Sequence, residues 1–387
     1  MQSVPDLLAA ARKGTGLEDF GDPSFMEGLD CLVRALQGEA RITSAGEMAI
    51  SAQLVGFLSQ RLQVEDWYRR HPEIEDEIIE SPLFGVSLPR TGSTALAFLL
   101  GEDPGKRSLR AWEATEPCPP PSTVEGPDPR IERAEWAERM QREHAPRLAA
   151  LVPSSAKGPR DCQMLLGLDF KAPLFYAFAC IPSYANWLLY DADLGSAYRY
   201  MRRVLKLLQW GTSRLPWSLE SPAHLQFIDS LDAVFPDAKF VMTHRDPTEV
   251  IVSGADVNFE VVKMFSDDVD TKYIGALTTE YWAVGMERTI AFRDDRGAAR
   301  FFDIDFRAMQ REPVAEVRAL YDWLGLEVSQ EFEVGMKRWW AENSENREPN
   351  VHPEAALFGL DLDELRRHFS EYTGRIPGWI AQRANAR

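Results

Sequence analysis

The sequence predicts an α/β protein in which helices flank a parallel sheet, with further helical segments at both ends of the chain. Short apolar runs typical of buried strands begin near Leu83, Leu219, Phe240 and Phe301. Segments with helical periodicity separate these runs, which is the order expected of parallel strands joined by right-handed crossovers. The first run also leads through a short polar loop into an apolar helix, as in phosphate-binding loops of the P-loop type.

The first 79 residues are predicted to form a helical N-terminal extension, and residues 80–387 the main domain with a helical tail. Helical periodicity covers 23–37 and 44–71. Ser44 and Glu47 match a capping box at the start of the second of these helices. The apolar faces predict that this extension packs on the core of the main domain.

A predicted anion-binding loop follows the first strand. The run 83–88 reads as a buried strand and 94–100 as the opening of a buried helix. Between them, backbone amides at the helix N-terminus, hydroxyl groups and a guanidinium can converge on a phosphate, from Arg90, Thr91, Gly92, Ser93 and Thr94. A strand-turn-helix with no ligand is the alternative interpretation. A Walker A motif fits less well, because no Lys precedes the Ser/Thr.

A second strand-helix corner carries another Arg and another hydroxyl. A strand is predicted over 239–243 and a helix over 248–257, with Asp246 as N-cap and Pro247 at the first helical position. Arg245 leaves the strand end and Ser253 lies in the helix, so the two can bind a second phosphate. The alternative is that Arg245 pairs with a surface carboxylate.

The remaining elements are assigned from periodicity and from proline. The Pro-rich segment 118–130 is predicted to be an extended loop without regular structure. Further helices are predicted over 130–150 with a break at Pro146, and over 195–213, 277–294, 313–324 and 361–372.

Together the two phosphate-binding segments resemble the cytosolic-type sulfotransferases that use 3′-phosphoadenosine 5′-phosphosulfate (PAPS), and most closely their bacterial branch. The resemblance runs from residue 83 into the C-terminal third of the chain and includes 112–121, 183–187, 207–210 and 221–225. It implies that the loop from Arg90 to Thr94 binds the donor's 5′-phosphosulfate. It also implies that Arg245 and Ser253 bind the 3′-phosphate, and that no metal is required.

The resemblance further suggests catalytic roles for Arg90, Glu113 and His224. Glu113 is the nominated general base, and the alternative is that it pairs with an Arg and shapes the loop. His224 is predicted to donate hydrogen bonds to the sulfuryl oxygens or to act as base, the alternative being a structural role; Asp169 and His144 are weaker candidates.

Glu220 departs from the family pattern, in which a Lys usually stands at this position. A carboxylate beside the donor would be repelled. We therefore expect Glu220 to turn away toward an Arg or to bind the acceptor. The remaining interpretations are that it serves as the base or that the enzyme is weakened.

The acceptor is expected to be a small molecule whose hydroxyl sits on an apolar or aromatic frame, with a sugar as the alternative. The expectation rests on aromatic residues near predicted loops, for which core packing is the competing explanation, namely Trp112, Phe175, Tyr176, Phe178, Trp187 and Trp217. Two other functions stay open: a nucleotide-binding protein of the same fold without transferase activity, and a magnesium-dependent nucleoside-phosphate kinase.

Composition bounds the partners. The formal net charge of −17 argues against nucleic acid or an anionic membrane as partner. The four cysteines form no C-x-x-C pair and suit reduced thiols. No signal peptide or membrane-length apolar stretch is found, so a cytoplasmic enzyme is expected, with homodimer formation left open.

Overall fold

The structure is a computed structural model that describes residues 1–344 and 354–385, so residues 345–353 and 386–387 of the predicted main domain lie outside the described part. Within it, five parallel strands form one sheet in the order β2-β3-β1-β4-β5. Their bounds are Leu83–Gly85 (β1), Arg107–Ser108 (β2), Trp217–Glu220 (β3), Lys239–His244 (β4) and Phe301–Asp305 (β5). The predicted α/β architecture with a parallel sheet is confirmed.

The short strand β1 lies at the centre of the sheet. Leu83 is in register with Ser218 of β3 on one side and with Lys239 of β4 on the other. All three residues of β1 are buried, as expected for a parallel strand covered by helices on both faces. The strand is shorter than the predicted run 83–88, because the chain leaves the sheet after Gly85 to form the phosphate loop.

Helices cover the sheet and extend the chain at both ends. In chain order their bounds are α1 Val4–Thr15, α2 Phe25–Gly38, α3 Ser44–Arg70, α4 Ser93–Leu100, α5 Ala111–Thr115, α6 Pro129–His144, α7 Pro146–Leu151, α8 Gln163–Leu166, α9 Pro182–Tyr190, α10 Gly195–Gln209, α11 Ile228–Val234, α12 Pro247–Val262, α13 Thr271–Arg296, α14 Phe306–Arg311, α15 Pro313–Leu324, α16 Gln330–Ser344, α17 Leu362–His368 and α18 Ser370–Asn385. Among these helices, none is both long and apolar enough to cross a membrane.

The N-terminal helices share the hydrophobic core of the sheet. One continuous cluster of buried residues extends from Leu7 on α1 through Phe84 on β1 to Trp379 on α18. Helix α3 contributes Ile50 and Leu54, both fully buried. Packing of the N-terminal helices on the core is therefore observed, and the division of the chain at residue 79 stays a prediction.

Several helix bounds differ from the sequence-based expectation. The predicted break at Pro146 is confirmed, with α6 ending at His144 and α7 beginning at Pro146. The helix predicted over 277–294 begins earlier, because Asp270 caps it by accepting a hydrogen bond from the backbone N–H of Tyr273. The helix predicted over 361–372 is two helices, separated at Phe369. Helices α1, α9 and α16 and strand β2 were not predicted.

Candidate active site

The loop between β1 and α4 ends at a helix N-terminus without a side-chain cap. Gly92 is the N-cap residue with φ of 89° and makes no side-chain capping bond. The first amides of α4 therefore have no partner from a capping side chain and can face an anion. A Cβ at Gly92 would approach Met309 Cε to 2.9 Å and Phe306 to 3.1 Å, so both its φ and its space require glycine.

Thr91 fixes the loop rather than facing solvent. Its hydroxyl lies 2.7 Å from the carbonyl oxygen of Leu88 and 2.6 Å from the hydroxyl of Thr243 at the end of β4, and the residue is fully buried. The backbone N–H of Thr243 in turn donates to the Ser87 hydroxyl at 2.8 Å. Thr94, in contrast, is exposed. The predicted loop residues thus divide into an internal anchor and groups on the open side.

The two predicted phosphate-binding segments meet in space. Arg90 Nε donates to the Ser253 hydroxyl on α12 at 3.0 Å, and Arg245 Nη1 donates to the carbonyl oxygen of Arg90, also at 3.0 Å. Burial and the nearby Arg245 lower the pKa of Arg90. Two guanidinium groups, a hydroxyl and the N-terminus of α4 therefore surround one region, an arrangement suited to a polyanion.

Arg245 has a second partner in this structure. Its guanidinium forms an ion pair with Glu249 at 2.6 Å and lies over the ring of Phe306, 4.5 Å from the centroid. Arg245 thus pairs with a surface carboxylate, as the alternative interpretation held, and also contacts the loop. Sequence could have suggested the partner, because Glu249 lies four positions after Arg245, in the first turn of α12. A 3′-phosphate bound here would have to replace Glu249.

Helix α7 covers the loop from the opposite side. Arg90 Nη1 donates a short hydrogen bond to the carbonyl oxygen of Leu151 at the end of α7. Arg147 holds α7 against α12 through hydrogen bonds of 2.8 and 2.9 Å to Asp256 and an ion pair of 3.1 Å with Glu260. No sequence pattern indicates the contact between Arg147 and Asp256, which joins residues more than a hundred positions apart.

Glu113 lies in a buried ion pair away from the loop contacts. Arg107 donates to one of its carboxylate oxygens at 2.8 Å, and the backbone N–H of Arg110 donates to the other at 3.1 Å. Burial raises the pKa of Glu113, although Arg107 opposes the shift. In the described part of the chain, Glu113 makes no hydrogen bond or ion pair with the loop. An Arg partner is thus present, while the catalytic assignment of Glu113 stays a prediction.

His224 is fully buried, and one of its two ring nitrogens has a hydrogen-bond partner. Its Nδ1 lies 2.9 Å from the Tyr198 hydroxyl, and its Nε2 has no hydrogen-bond partner among the described residues. Burial lowers the pKa of His224 to about 3, so the ring is neutral at physiological pH. The ring packs edge-on against Phe84 of β1, with centroids 5.1 Å apart. A neutral imidazole with one free nitrogen can serve as donor or acceptor, depending on its tautomer.

The weaker candidates have structural partners or lie at the surface. Asp169 is fully buried and accepts hydrogen bonds from Ser196 at 2.6 Å and from Arg61 at 3.3 Å, which joins α10 to α3. His144 is exposed at the end of α6. Five of the six aromatic residues assigned to an acceptor frame are buried in the protein, namely Trp112, Phe175, Tyr176, Phe178 and Trp217.

Glu220 does not turn away from the phosphate loop. Its carboxyl group forms a side-chain hydrogen bond with Ser93, the first residue of α4. Burial, together with the neighbouring charge of Asp161, raises the pKa of Glu220 to about 8. The expectation that this side chain turns away from the loop is therefore wrong, although an Arg, Arg160, does act on it, and binding of the acceptor by Glu220 stays a prediction. Asp161 and Arg160 carried no sequence signal.

Fold and site together define a class: α/β proteins with an open helix N-terminus after the first strand of a parallel sheet. Residues 82–330 match the model of the sulfotransferase family, and the chain belongs to this family. The predicted family resemblance is confirmed.

Solved structures agree with this assignment. The sulfotransferase STF9 from Mycobacterium avium is similar over 97% of this chain and 96% of its own, with 30% identity and a TM-score of 0.89. The sulfotransferase STF1 from Mycobacterium tuberculosis H37Rv is similar over 96% of this chain and 99% of its own, with 30% identity and a TM-score of 0.81. Among curated protein sequences, none matches the chain significantly.

Proposed function

We propose that the protein transfers the sulfuryl group of PAPS to a hydroxyl of a small acceptor. The observation that carries this proposal is the convergence of Arg90, Arg245 and Ser253, which lie in two motifs far apart in sequence. Each motif alone fits many phosphate sites. Their contact in a chain of the sulfotransferase family supports a donor with two separate anionic groups.

The residues present fit such a donor. The open amides of α4, the hydroxyls of Ser93 and Thr94 and the guanidinium of Arg90 would hold the 5′-phosphosulfate. Arg245 and Ser253 would hold the 3′-phosphate. The product, 3′-phosphoadenosine 5′-phosphate (PAP), keeps both phosphates and is expected to bind to the same groups.

The chemistry needs charge stabilisation and a proton acceptor. PAPS, when bound, supplies an activated sulfuryl group that an acceptor hydroxyl attacks in line, with PAP as the leaving group. Arg90 stabilises negative charge at the 5′-phosphate end. Glu113 is the proposed base, because burial raises its pKa and so makes the carboxylate a stronger proton acceptor. His224, with a pKa of about 3, is a poor base and is assigned to hydrogen bonding of the sulfuryl oxygens.

The reacting group of the acceptor is better defined than the shape of the molecule that carries it. A hydroxyl is required, but an apolar or aromatic frame no longer follows from the aromatic residues, since most are buried in the protein. Incubation with labelled PAPS and panels of phenols, sterols, hydroxylated lipids and sugars identifies the class. Exclusive sulfation of sugars would remove the apolar-acceptor hypothesis.

Calorimetry with PAP tests the donor site. Arg245→Ala and Ser253→Ala should each weaken PAP binding, because a charge-assisted hydrogen bond contributes about 1.5–3 kcal/mol, or roughly tenfold to more than a hundredfold in affinity. Discrimination against adenosine 5′-phosphosulfate, which lacks the 3′-phosphate, should fall as well. Arg375→Ala is a matched control, since Arg375 forms the same kind of one-turn ion pair with Glu371 on α18.

Two results would contradict the proposal in different ways. Unchanged PAP affinity in the folded Arg245→Ala variant would show that Arg245 does not bind a 3′-phosphate. PAP binding without sulfation of any acceptor would leave a nucleotide-binding member of the family that has lost transfer.

A further inference from the structure

Glu220 occupies the edge of the proposed donor site. It is the last residue of β3, in register with Gly85, the last residue of β1. The strands are so close that a Cβ at Gly85 would lie 3.0 Å from the Cβ of Glu220. A cavity of about 20 Å³, room for about one water molecule, is lined by residues of β1, β3 and α4 that include Ser93 and Glu220. The carboxyl group therefore adjoins the start of α4.

A second carboxyl group lies beside it. Asp161 accepts hydrogen bonds from the backbone N–H of Gln163 at 2.8 Å and from its side-chain amide at 2.9 Å. The backbone N–H of Cys162 donates to the carbonyl oxygen of Glu220 at 3.0 Å, which ties this segment to β3. The hydrogen bond from Cys162 thus holds the segment that carries Asp161 next to the end of β3, where Glu220 lies.

Few charged groups compensate this pair. In the described part of the chain, the ionisable groups that act on Glu220 are Asp161 and Arg160, and Ser93 adds a hydrogen bond from α4. The thiol of Cys162 is also adjacent, and burial raises its pKa, so it carries no charge. The single guanidinium of Arg160 thus acts on two carboxyl groups, those of Asp161 and Glu220. Two adjacent, partly buried carboxylates repel each other, which favours one shared proton on such a pair.

The protonation state decides what Glu220 can do beside an anion. A carboxylate accepts hydrogen bonds and would repel a phosphate, whereas a carboxylic acid donates one. The pKa of Glu220 near 8 agrees with a neutral group at physiological pH. An acid kept neutral by its site so that it can donate a hydrogen bond is an established device in enzymes.

We propose that Glu220 stays protonated beside Asp161 and donates a hydrogen bond to an oxygen of the donor's 5′-phosphate, next to Ser93. This inference rests on the proposed function. The proton remains on Glu220 and no group is transferred to or from it. Binding of the donor then favours the protonated form, so affinity falls as the pH rises through the range in which Glu220 ionises.

Calorimetric titration of PAP from about pH 6.5 to about pH 9.5 tests the inference, with the wild-type chain, Glu220→Gln and Asp161→Asn. The wild-type affinity should fall by up to about tenfold per pH unit at the alkaline end, and binding there should take up close to one proton. The Gln variant keeps a donor without a titratable proton. It should bind within about threefold of wild type at neutral pH and lose the alkaline decline.

The Asp161→Asn variant provides an independent readout. Removing the neighbouring negative charge should lower the pKa of Glu220, so the decline in PAP affinity should begin at lower pH. A Gln variant that keeps the wild-type pH dependence, or that loses most of its affinity at neutral pH while folded, would overturn the role of Glu220 and leave the proposed function standing. No PAP binding by folded wild-type protein at any pH would instead refute the proposed function, and this inference with it.

Discussion

Glu249 competes with the donor for Arg245, and its removal should strengthen nucleotide binding. The Arg245 guanidinium pairs with Glu249 at 2.6 Å and also donates a hydrogen bond to the carbonyl oxygen of Arg90 in the predicted anion-binding loop. A 3′-phosphate can engage this guanidinium fully only when Glu249 gives way. Glu249→Gln should therefore increase the affinity for PAP, the opposite of the usual effect of removing a charged residue near a binding site.

The size of the gain follows from the exposure of the pair. The side chains of Arg245 and Glu249 are 29% and 48% exposed, so solvent screens their attraction and the pair contributes about 0.2–1 kcal/mol. Repulsion between Glu249 and a phosphate charge about 6 Å away in water adds about 0.7 kcal/mol. Together these terms, about 0.9–1.7 kcal/mol, predict a gain of about five- to twentyfold in affinity.

Calorimetry with PAP at low and at moderate salt measures the gain, which salt should reduce. Glu371→Gln, which removes the carboxylate of the corresponding one-turn pair with Arg375, is the control and should leave PAP binding unchanged. In an Arg245→Ala background, Glu249→Gln should increase the affinity for PAP only by the part that comes from repulsion between Glu249 and the phosphate. Weaker binding in the single Glu249→Gln variant would refute the reasoning, since it would mean that the pair orients Arg245 for the phosphate.

Three further predictions concern the site. Arg90→Ala should weaken PAPS binding by about tenfold or more and slow transfer, measured by calorimetry and turnover; full turnover would make the loop structural. Glu113→Gln should spare PAP binding and depress transfer, and it should also lower the melting temperature because Arg107 loses its buried partner; unchanged turnover would leave only the structural role. Glu220→Gln should flatten the pH dependence of stability. Since the pKa of Glu220 is about 8 in the folded state and 4.5 ordinarily, the contribution of its protonation to stability is fully present below about pH 4.5 and is lost as the pH rises through 8. Thermal melts of the wild type and of Glu220→Gln from mildly acidic to alkaline pH test this prediction. The same dependence of melting temperature on pH in both proteins would contradict it.

The elements that sequence predicted well are those specified by neighbouring residues. The capped start of α12 at Asp246 and Pro247 and the break at Pro146 depend on contacts within a few positions. The strand-loop-helix around Gly92 is likewise local, because the glycine conformation and the apolar run after it define the turn. Strand β2 was missed because two residues give no periodicity to read.

The site assignments divide in the same way. The loop and the pair Arg245 and Ser253 were found because each motif occupies a short segment, and the structure brings the two segments together. The partners of Glu113 and Glu220 were not found. Arg107 lies on β2, which the sequence did not predict, and Asp161 lies in a segment without regular structure. Neither the contact with Glu113 nor the one with Glu220 therefore follows from a fixed spacing in the sequence.

Sequence by itself determined the fold class and the family and located the two segments proposed to bind phosphate, because strand periodicity, helix caps and loop glycines act over a few residues. Tertiary structure alone decided the charge state of the site. The order of the parallel strands sets Glu220 against Ser93 and Asp161, and it sets Arg90 against Ser253. The pKa of a carboxyl group depends on burial and on charges a few ångströms away, which chain separation does not encode. For that reason Glu220, which the sequence suggests is a repulsive carboxylate, has a raised pKa in the folded protein.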